Sequence, residues 1–300
     1  MNLSFTAQRS WFEATARQRI DGLLDAGTFR EILPPEASRP SPNLAALGLP
    51  GAFDDGVVVG YGHIEERPVF IAAQEGQFMG GGVGEIHGAK IVGILRRALV
   101  DKPDAVLLLI DSGGVRLQEA NAGLIAISEI MRAVLDTRAA GIPVLALVGG
   151  SCGAFGGMGI VTMLCSAVLM SEEGRLGLSG PEVIETVIGV EEFDSKDRAL
   201  VWRVTGGKHR YLMNDCAELV DDDIAAFRKG TTGLLSVCQN VPPSLAQLRA
   251  AQLRLELRHA MYADLRDGLQ VWAALGVPNP ETVPLLERDH MVALKKGMST

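Results

Sequence analysis

The chain has no excess of positive charge: 28 lysines and arginines stand against 36 aspartates and glutamates, for a formal net charge of −8. Nucleic-acid binding needs a basic face, so this balance argues against it. Lys208, His209 and Arg210 sit together as a local basic patch. Cysteine is scarce. The four residues (Cys152, Cys165, Cys216 and Cys238) show neither CxxC nor Cys/His spacing, so no metal site is expected. Two of them lie in apolar sequence and read as buried, reduced, cytosolic thiols. The opening "MNLSFTAQRSWFEATARQR" lacks an apolar h-region, which argues against secretion and for a cytoplasmic protein. No low-complexity tract or linker divides the 300 residues, a length that can bury a large core without staples.

One stretch lacks charge altogether. From Ile142 to Met170, 29 residues pass without a charged side chain, long enough for a membrane span. Yet Pro143 opens the stretch and six glycines interrupt it. Each costs a helix about 1 kcal/mol relative to alanine. A strand, a glycine turn, a short helix and a second strand fit better, and no membrane segment is expected.

What is present is a repeating theme. An amphipathic helix is expected from about Ala7 to Ala26, stopped at Gly27, before the proline-studded connector "LPPEASRPSPNLAALGLP". Apolar runs then follow at 67–74, 104–110, 142–148 and 165–170, alternating with helical patterns. They lack polar alternation, as strands buried on both faces do. The class is α/β with mostly parallel strands, and periodicity alone suggests a doubly wound sheet. "SGPEVIETVIG" reads as a helix start, with Ser179 as N-cap and Pro181 in the first turn. Residues 220–300 look largely helical, and Asp221, Asp222 and Asp223 read as a capped, solvated helix end rather than a metal site. We expect a single domain over 1–300, with an N-terminal helix and connector (1–50), a core (51–220) and a helical tail (221–300).

Glycine clusters close the strands, and four chemistries compete for them. Gly82, Gly84 and Gly88 give GxGxxxG, with Asp111 at the end of the next strand as a ribose-binding acid. Against this, the cluster begins four residues after its strand. A P-loop fails because Ala89 interrupts the required Gly-Lys-Ser/Thr. Gly149-Gly150-Ser151-Cys152-Gly153 satisfies GxSxG between a strand and a helix, with His209, His259 and His290 downstream, the pattern of a serine hydrolase. A third reading uses backbone alone. Gly113-Gly114 and Gly153-Ala154 each end a strand and precede a helix, where N–H groups carry partial positive charge. Together they form an oxyanion hole into which an acyl thioester can reach. The fourth reading is close packing in an inert scaffold.

"FDDGVVVGYGHIEERPVFIAAQEGQFMGGGVGEIHGAKI", "DSGGVRLQEA", "GGSCGAFGG" and "EGRLGLSGPEVIE" occur here in the order found in acyl-CoA carboxyltransferase β subunits. The chain resembles that family, part of the crotonase-like superfamily, and within it the branch of biotin-independent malonate decarboxylase β subunits. The resemblance covers about residues 1 to 230 well. It implies a crotonase-like (ClpP/crotonase) spiral of ββα units with helical arms at both ends. It further implies a related γ subunit, an acyl-carrier subunit bearing malonyl on a CoA-like prosthetic arm, and a transferase subunit that recharges the carrier. No cofactor is then bound by this chain. Bacterial acetyl-CoA carboxylase β subunits carry a four-cysteine zinc ribbon, which these cysteines do not spell, so the decarboxylase branch is favoured over a biotin-dependent carboxyltransferase.

The catalytic candidates are therefore the N–H groups of Gly113, Gly114, Gly153 and Ala154. The substrate-binding candidates are Phe78, Met79, Gly80, Gly81, Ser112 and Arg116. Phe78 and Met79 are expected to line a pantetheine channel or the core. Arg116 either anchors a carboxylate or phosphate by its planar fork or pairs with Glu119 or Glu185. Glu85 and His87 are candidate proton donors, set against a helix-start pair favoured by the dipole.

Overall fold

The computed structural model describes residues 9–37, 40–51, 55–238 and 242–298. Seven strands form one sheet in sequence order: β1 (Arg30–Ile32), β2 (Val57–Ile64), β3 (Arg67–Gln74), β4 (Ala105–Ile110), β5 (Val144–Val148), β6 (Ala167–Ser171) and β7 (Glu218–Val220). The first three pair antiparallel, and every pair from β3 onward is parallel.

The helices are α1 (Ala16–Leu23), α2 (Pro42–Ala46), α3 (Glu85–Asp101), α4 (Asn121–Ala139), α5 (Gly156–Leu164), α6 (Pro181–Ile188), α7 (Arg198–Thr205), α8 (Gly207–Leu212), α9 (Ile224–Val237), α10 (Leu245–Tyr262), α11 (Gly268–Ala274) and α12 (Arg288–Met298).

Alternate residues of each central strand enter two separate cores, which is why the apolar runs lack polar alternation. Val106, Leu108 and Ile110 of β4, with Val144, Ala146 and Val148 of β5, pack on α3, α4 and α5 through Leu95, Ile130 and Met158. Leu107 and Leu109 of β4, with Leu145 and Leu147 of β5, pack on the other face against Trp11, Ile20 of α1 and Phe227 of α9. There the rings of Trp11 and Phe227 stack with centroids 3.8 Å apart. Such a pair contributes roughly 0.5–1.5 kcal/mol beyond its buried area.

The doubly wound expectation is corrected by the strand order. A doubly wound sheet reverses direction at a switch point, whereas here each strand lies beside its predecessor. All crossovers then wind the same way and place α3, α4 and α5 on one face. Beyond the sheet a second, minimal ladder links successive units: Val83 bridges Val115, Ser112 bridges Ala154, and Ala154 bridges Leu176. Strand, bridge residue and helix thus repeat as a ββα spiral.

The expected helix over 7–26 begins only at Ala16, where Thr15 and Gln18 form a capping box; Ala7 lies outside the described residues. In the connector, α2 is N-capped by Ser41, and residues 38–39 lie outside the described residues. Helix α6 starts at Pro181 as expected, but its N-cap is Gly180 rather than Ser179. Asp223 caps α9, while Asp222 accepts hydrogen bonds from Ser10 Oγ and the Phe12 N–H at 2.6 and 2.8 Å. The uncharged stretch 142–170 folds as strand, turn, nine-residue helix and strand. Among the described residues no helix is long and apolar enough to cross a membrane.

Candidate active site

Asp111 follows β4 and is buried among glycines. A β-carbon on Gly150 would lie 2.2 Å from its carboxyl carbon, and one on Gly76 would lie 2.6 Å from Oδ2. The carboxylate receives Arg19 Nη1 at 2.8 Å and the Cys152 N–H at 2.7 Å. It therefore ties the β5 turn to the N-terminal arm and has no ribose-binding role. With no switch point in the sheet, the dinucleotide reading fails twice.

The N–H groups at the glycine turns are mostly committed. Gly113 donates to the Gly80 carbonyl at 2.9 Å, Gly153 to Gly150 at 3.1 Å and Ala154 to Arg175 at 2.8 Å. Gly114 donates to Ser112 Oγ at 3.2 Å, and that hydroxyl donates in turn to the Gly81 carbonyl at 2.6 Å. Each of the four N–H groups expected from sequence thus has an acceptor within the chain. The unspent donors lie one to four residues further on. Among the described residues the N–H groups of Val115, Gly157 and Met158 have no acceptor. The last two open α5, whose N-cap Phe155 offers no side-chain cap, so they carry the helix's partial positive charge.

The two turns touch through bare backbone. A β-carbon on Gly156 would stand 3.2 Å from Gly114 Cα, and one on Gly114 would stand 3.4 Å from the Phe155 carbonyl oxygen. Both residues also hold positive φ, +123° at Gly114 and +56° at Gly156, a region costly for side-chain-bearing residues. Val115 follows one of these glycines and Gly157 the other.

Upstream, Met79, Gly80 and Gly81 form a left-handed run with φ of 50°, 64° and 63°. Gly81 passes so close to the β4 turn that a β-carbon there would lie 1.9 Å from the Asp111 carbonyl oxygen. Gly80 and Gly81 thus shape the turn by supplying carbonyls to Gly113 and Ser112. Phe78 and Met79 are half-buried beside it, with the Arg116 guanidinium 5.4 Å over the Phe78 ring.

Both Nη groups of Arg116 are engaged within the chain. Its Nη1 meets Glu119 at 2.6 Å and Asp55 at 3.3 Å, and its side chain is 1% exposed. Of its two expected roles the pairing is the one seen, and the partner from its own segment is Glu119 rather than Glu185. Asp55 is the partner that the sequence did not point to.

His87 is fully buried against Gln74 Nε2 and the Asp55 carbonyl, and burial, with the nearby Arg116 charge, pushes its pKa down to about 3. It is neutral at pH 7. Glu85 is exposed and accepts from Asn43 Nδ2 at 2.9 Å. Neither is placed as a proton donor to the turn.

Other expected features resolve structurally. Among the described residues no hydrogen bond joins Ser151 to a histidine, and the Ser151 carbonyl is taken by Arg175. Lys208 pairs with Glu172, Arg210 pairs with Asp215, and His209 is buried with its pKa pushed down to about 3. Cys165 and Cys216 are buried, and burial raises both thiols to about 12. Among the described residues no His/Cys/Asp/Glu group is arranged to hold a metal.

The site is thus a sequential ββα spiral with unspent N–H groups at paired glycine turns. Residues 8–230 match the carboxyl transferase domain family, and the chain belongs to it. It is 40% identical over 308 aligned positions to the malonyl-S-ACP:biotin-protein carboxyltransferase of Malonomonas rubra, covering 97% of this chain and 96% of that one. It is also similar to a solved chain of the Pseudomonas malonate decarboxylase hetero-tetramer in complex with malonate. That match has 42% identity and a TM-score of 0.82, over 89% of this chain and 98% of the other. A chain of the Pseudomonas malonate decarboxylase MdcD–MdcE hetero-dimer matches at 38% identity and TM-score 0.66, over 83% and 97%. The chain is a carboxyltransferase related to malonate decarboxylases, an enzyme of the carboxyl-transfer and decarboxylation class.

Proposed function

We propose that this chain is the β subunit of a malonate decarboxylase, turning malonyl-S-acyl-carrier protein into acetyl-S-acyl-carrier protein and CO₂ together with a homologous γ subunit. The observation that carries this reading is the set of unspent N–H groups of Val115, Gly157 and Met158 around the Gly114–Gly156 contact. Bare backbone there gives a thioester carbonyl room to approach. With the malonyl C–C bond held perpendicular to the carbonyl plane, loss of CO₂ sends the bonding pair into the thioester. The enolate oxygen then faces the donors, each worth about 3–4 kcal/mol in the transition state. The α-carbon takes up a proton to give acetyl.

In this reading the chain is one domain, cytoplasmic, and holds no cofactor of its own. The thioester travels on the CoA-like arm of the acyl-carrier subunit and is recharged from malonate by a transferase subunit. The two Pseudomonas structures, a hetero-tetramer and a hetero-dimer, support partner subunits. A second reading has its own support. The Malonomonas rubra relative is by name a biotin-protein carboxyltransferase, and the same enolate chemistry serves carboxyl transfer to biotin. The test is release of labelled CO₂ from carboxyl-labelled malonyl-carrier by the assembled complex with avidin present. Release despite avidin supports the decarboxylase, whereas release only without avidin and with biotin supplied makes the chain a biotin-dependent carboxyltransferase.

A further inference from the structure

We propose that Arg175 is a positioning residue for the donor turn, clamping the segment from Ser151 to Phe155 so that the first N–H groups of α5 keep their direction. The inference rests on the functional reading of that turn given above.

Arg175 lies beyond β6, in the segment "EGRLGLSGPEVIE". It grips the turn at two points. Its backbone carbonyl accepts the Ala154 N–H at 2.8 Å, and its Nη2 donates to the Ser151 carbonyl. One residue therefore fixes both ends of the short path Ser151–Ala154 that leads into α5. The fit is close, since a β-carbon on Gly153 would lie 2.7 Å from the Arg175 carbonyl oxygen and 3.1 Å from its Cβ.

The guanidinium is aimed by aromatic faces rather than by an ion pair. It lies 5.7 Å from the Phe155 ring centre and 4.8 Å from that of Trp202, and Arg198 also stands over Trp202 at 4.8 Å. Buried Arg19 and Arg116 each meet a carboxylate, whereas among the described residues none lies within ion-pair distance of Arg175. A planar cation stacks on rings and donates to a carbonyl at once; an ammonium has no plane to stack. Phe155 is the N-cap of α5 and makes no side-chain cap. Its placement under Arg175 therefore sets where the helix begins.

The test compares Arg175→Ala and Arg175→Lys with wild type in the assembled complex. One readout is turnover of carboxyl-labelled malonyl-carrier, and the other is amide hydrogen exchange over residues 152–158. The expected result for Arg175→Ala is a kcat about a hundredfold lower with KM unchanged, the scale of a misplaced reacting group. Exchange should quicken in 152–158 while the sheet stays protected, and methylguanidinium below denaturing concentration should restore part of kcat. Arg175→Lys should fall between, and it carries the comparison alone if the alanine variant does not fold. Wild-type kcat in a folded variant overturns the proposal, as does lost kcat with unchanged exchange over 152–158. If wild type itself releases no CO₂, the functional reading fails, and the exchange result alone decides the clamp.

Discussion

Gly114 and Gly156 meet backbone to backbone at positive φ, with 3.2 Å between Gly114 Cα and the place a Gly156 side chain would begin. Gly156→Ala should therefore cost about 1–2 kcal/mol of stability for the left-handed conformation alone. Turnover should suffer far more, by about a hundredfold, because the turns must part and misalign the donors. A folded Gly156→Ala complex with wild-type kcat would show that this contact does not hold the reacting carbonyl.

Asp111 and Arg19 form a buried ion pair at 2.8 Å that also receives the Cys152 N–H. Asp111→Asn leaves Arg19 buried without its counter-charge and should destabilise the chain by about 3–5 kcal/mol. The double variant with Arg19→Met should lose clearly less than the sum of the two singles, as expected of residues in contact. Urea midpoints for the four proteins decide this, and strict additivity would mean that the pair is not coupled.

Acid should destabilise the chain through its buried histidines. His87 and His209 are pushed down to about 3 by burial from an ordinary value of 6.5, so between these values the unfolded chain binds more protons. Their contribution is fully present above pH 6.5 and is lost as pH falls toward 3, by up to about 1.4 kcal/mol per pH unit for each histidine. Thermal unfolding at stepped pH should show a shallower acid loss in His209→Phe than in wild type. Equal slopes would mean that His209 is already protonated in the fold.

Ser151→Ala should keep wild-type turnover, and a fluorophosphonate should not label Ser151, since no histidine hydrogen-bonds to that serine among the described residues. Labelling that the substitution abolishes would revive the hydrolase reading.

The sheet was legible because its strands are simple. The run at 67–74 is strand β3 to the residue, and two-sided burial explains why no alternation marks it. The β2–β3 hairpin was not legible. Its turn residues, Glu65 and Glu66, hold positive φ without a glycine or asparagine. Asp25 holds their N–H groups from 40 and 41 positions away. Strand order was hidden as well, because periodicity reports burial and not neighbours. At the site, clustered glycines located the turns correctly. Which N–H groups stay unspent depends on acceptors such as Gly80 and Arg175 that only the folded chain brings near. Hence the N–H groups without an acceptor are those of Val115, Gly157 and Met158 rather than those of Gly113, Gly114, Gly153 and Ala154.

The N-terminal arm packs against a much later segment: Ser10 bonds to Asp222, 212 positions on, and Trp11 stacks on Phe227. On a ribosome adding about 5–20 residues per second, the arm waits on the order of 10 to 40 s for that partner. The rest of the sheet can meanwhile assemble strand by strand behind the exit tunnel, each new strand finding its neighbour already in place. A fold that grows by simple addition thus still waits on a late long-range closure, and Trp11 stays without its stacking partner until α9 emerges.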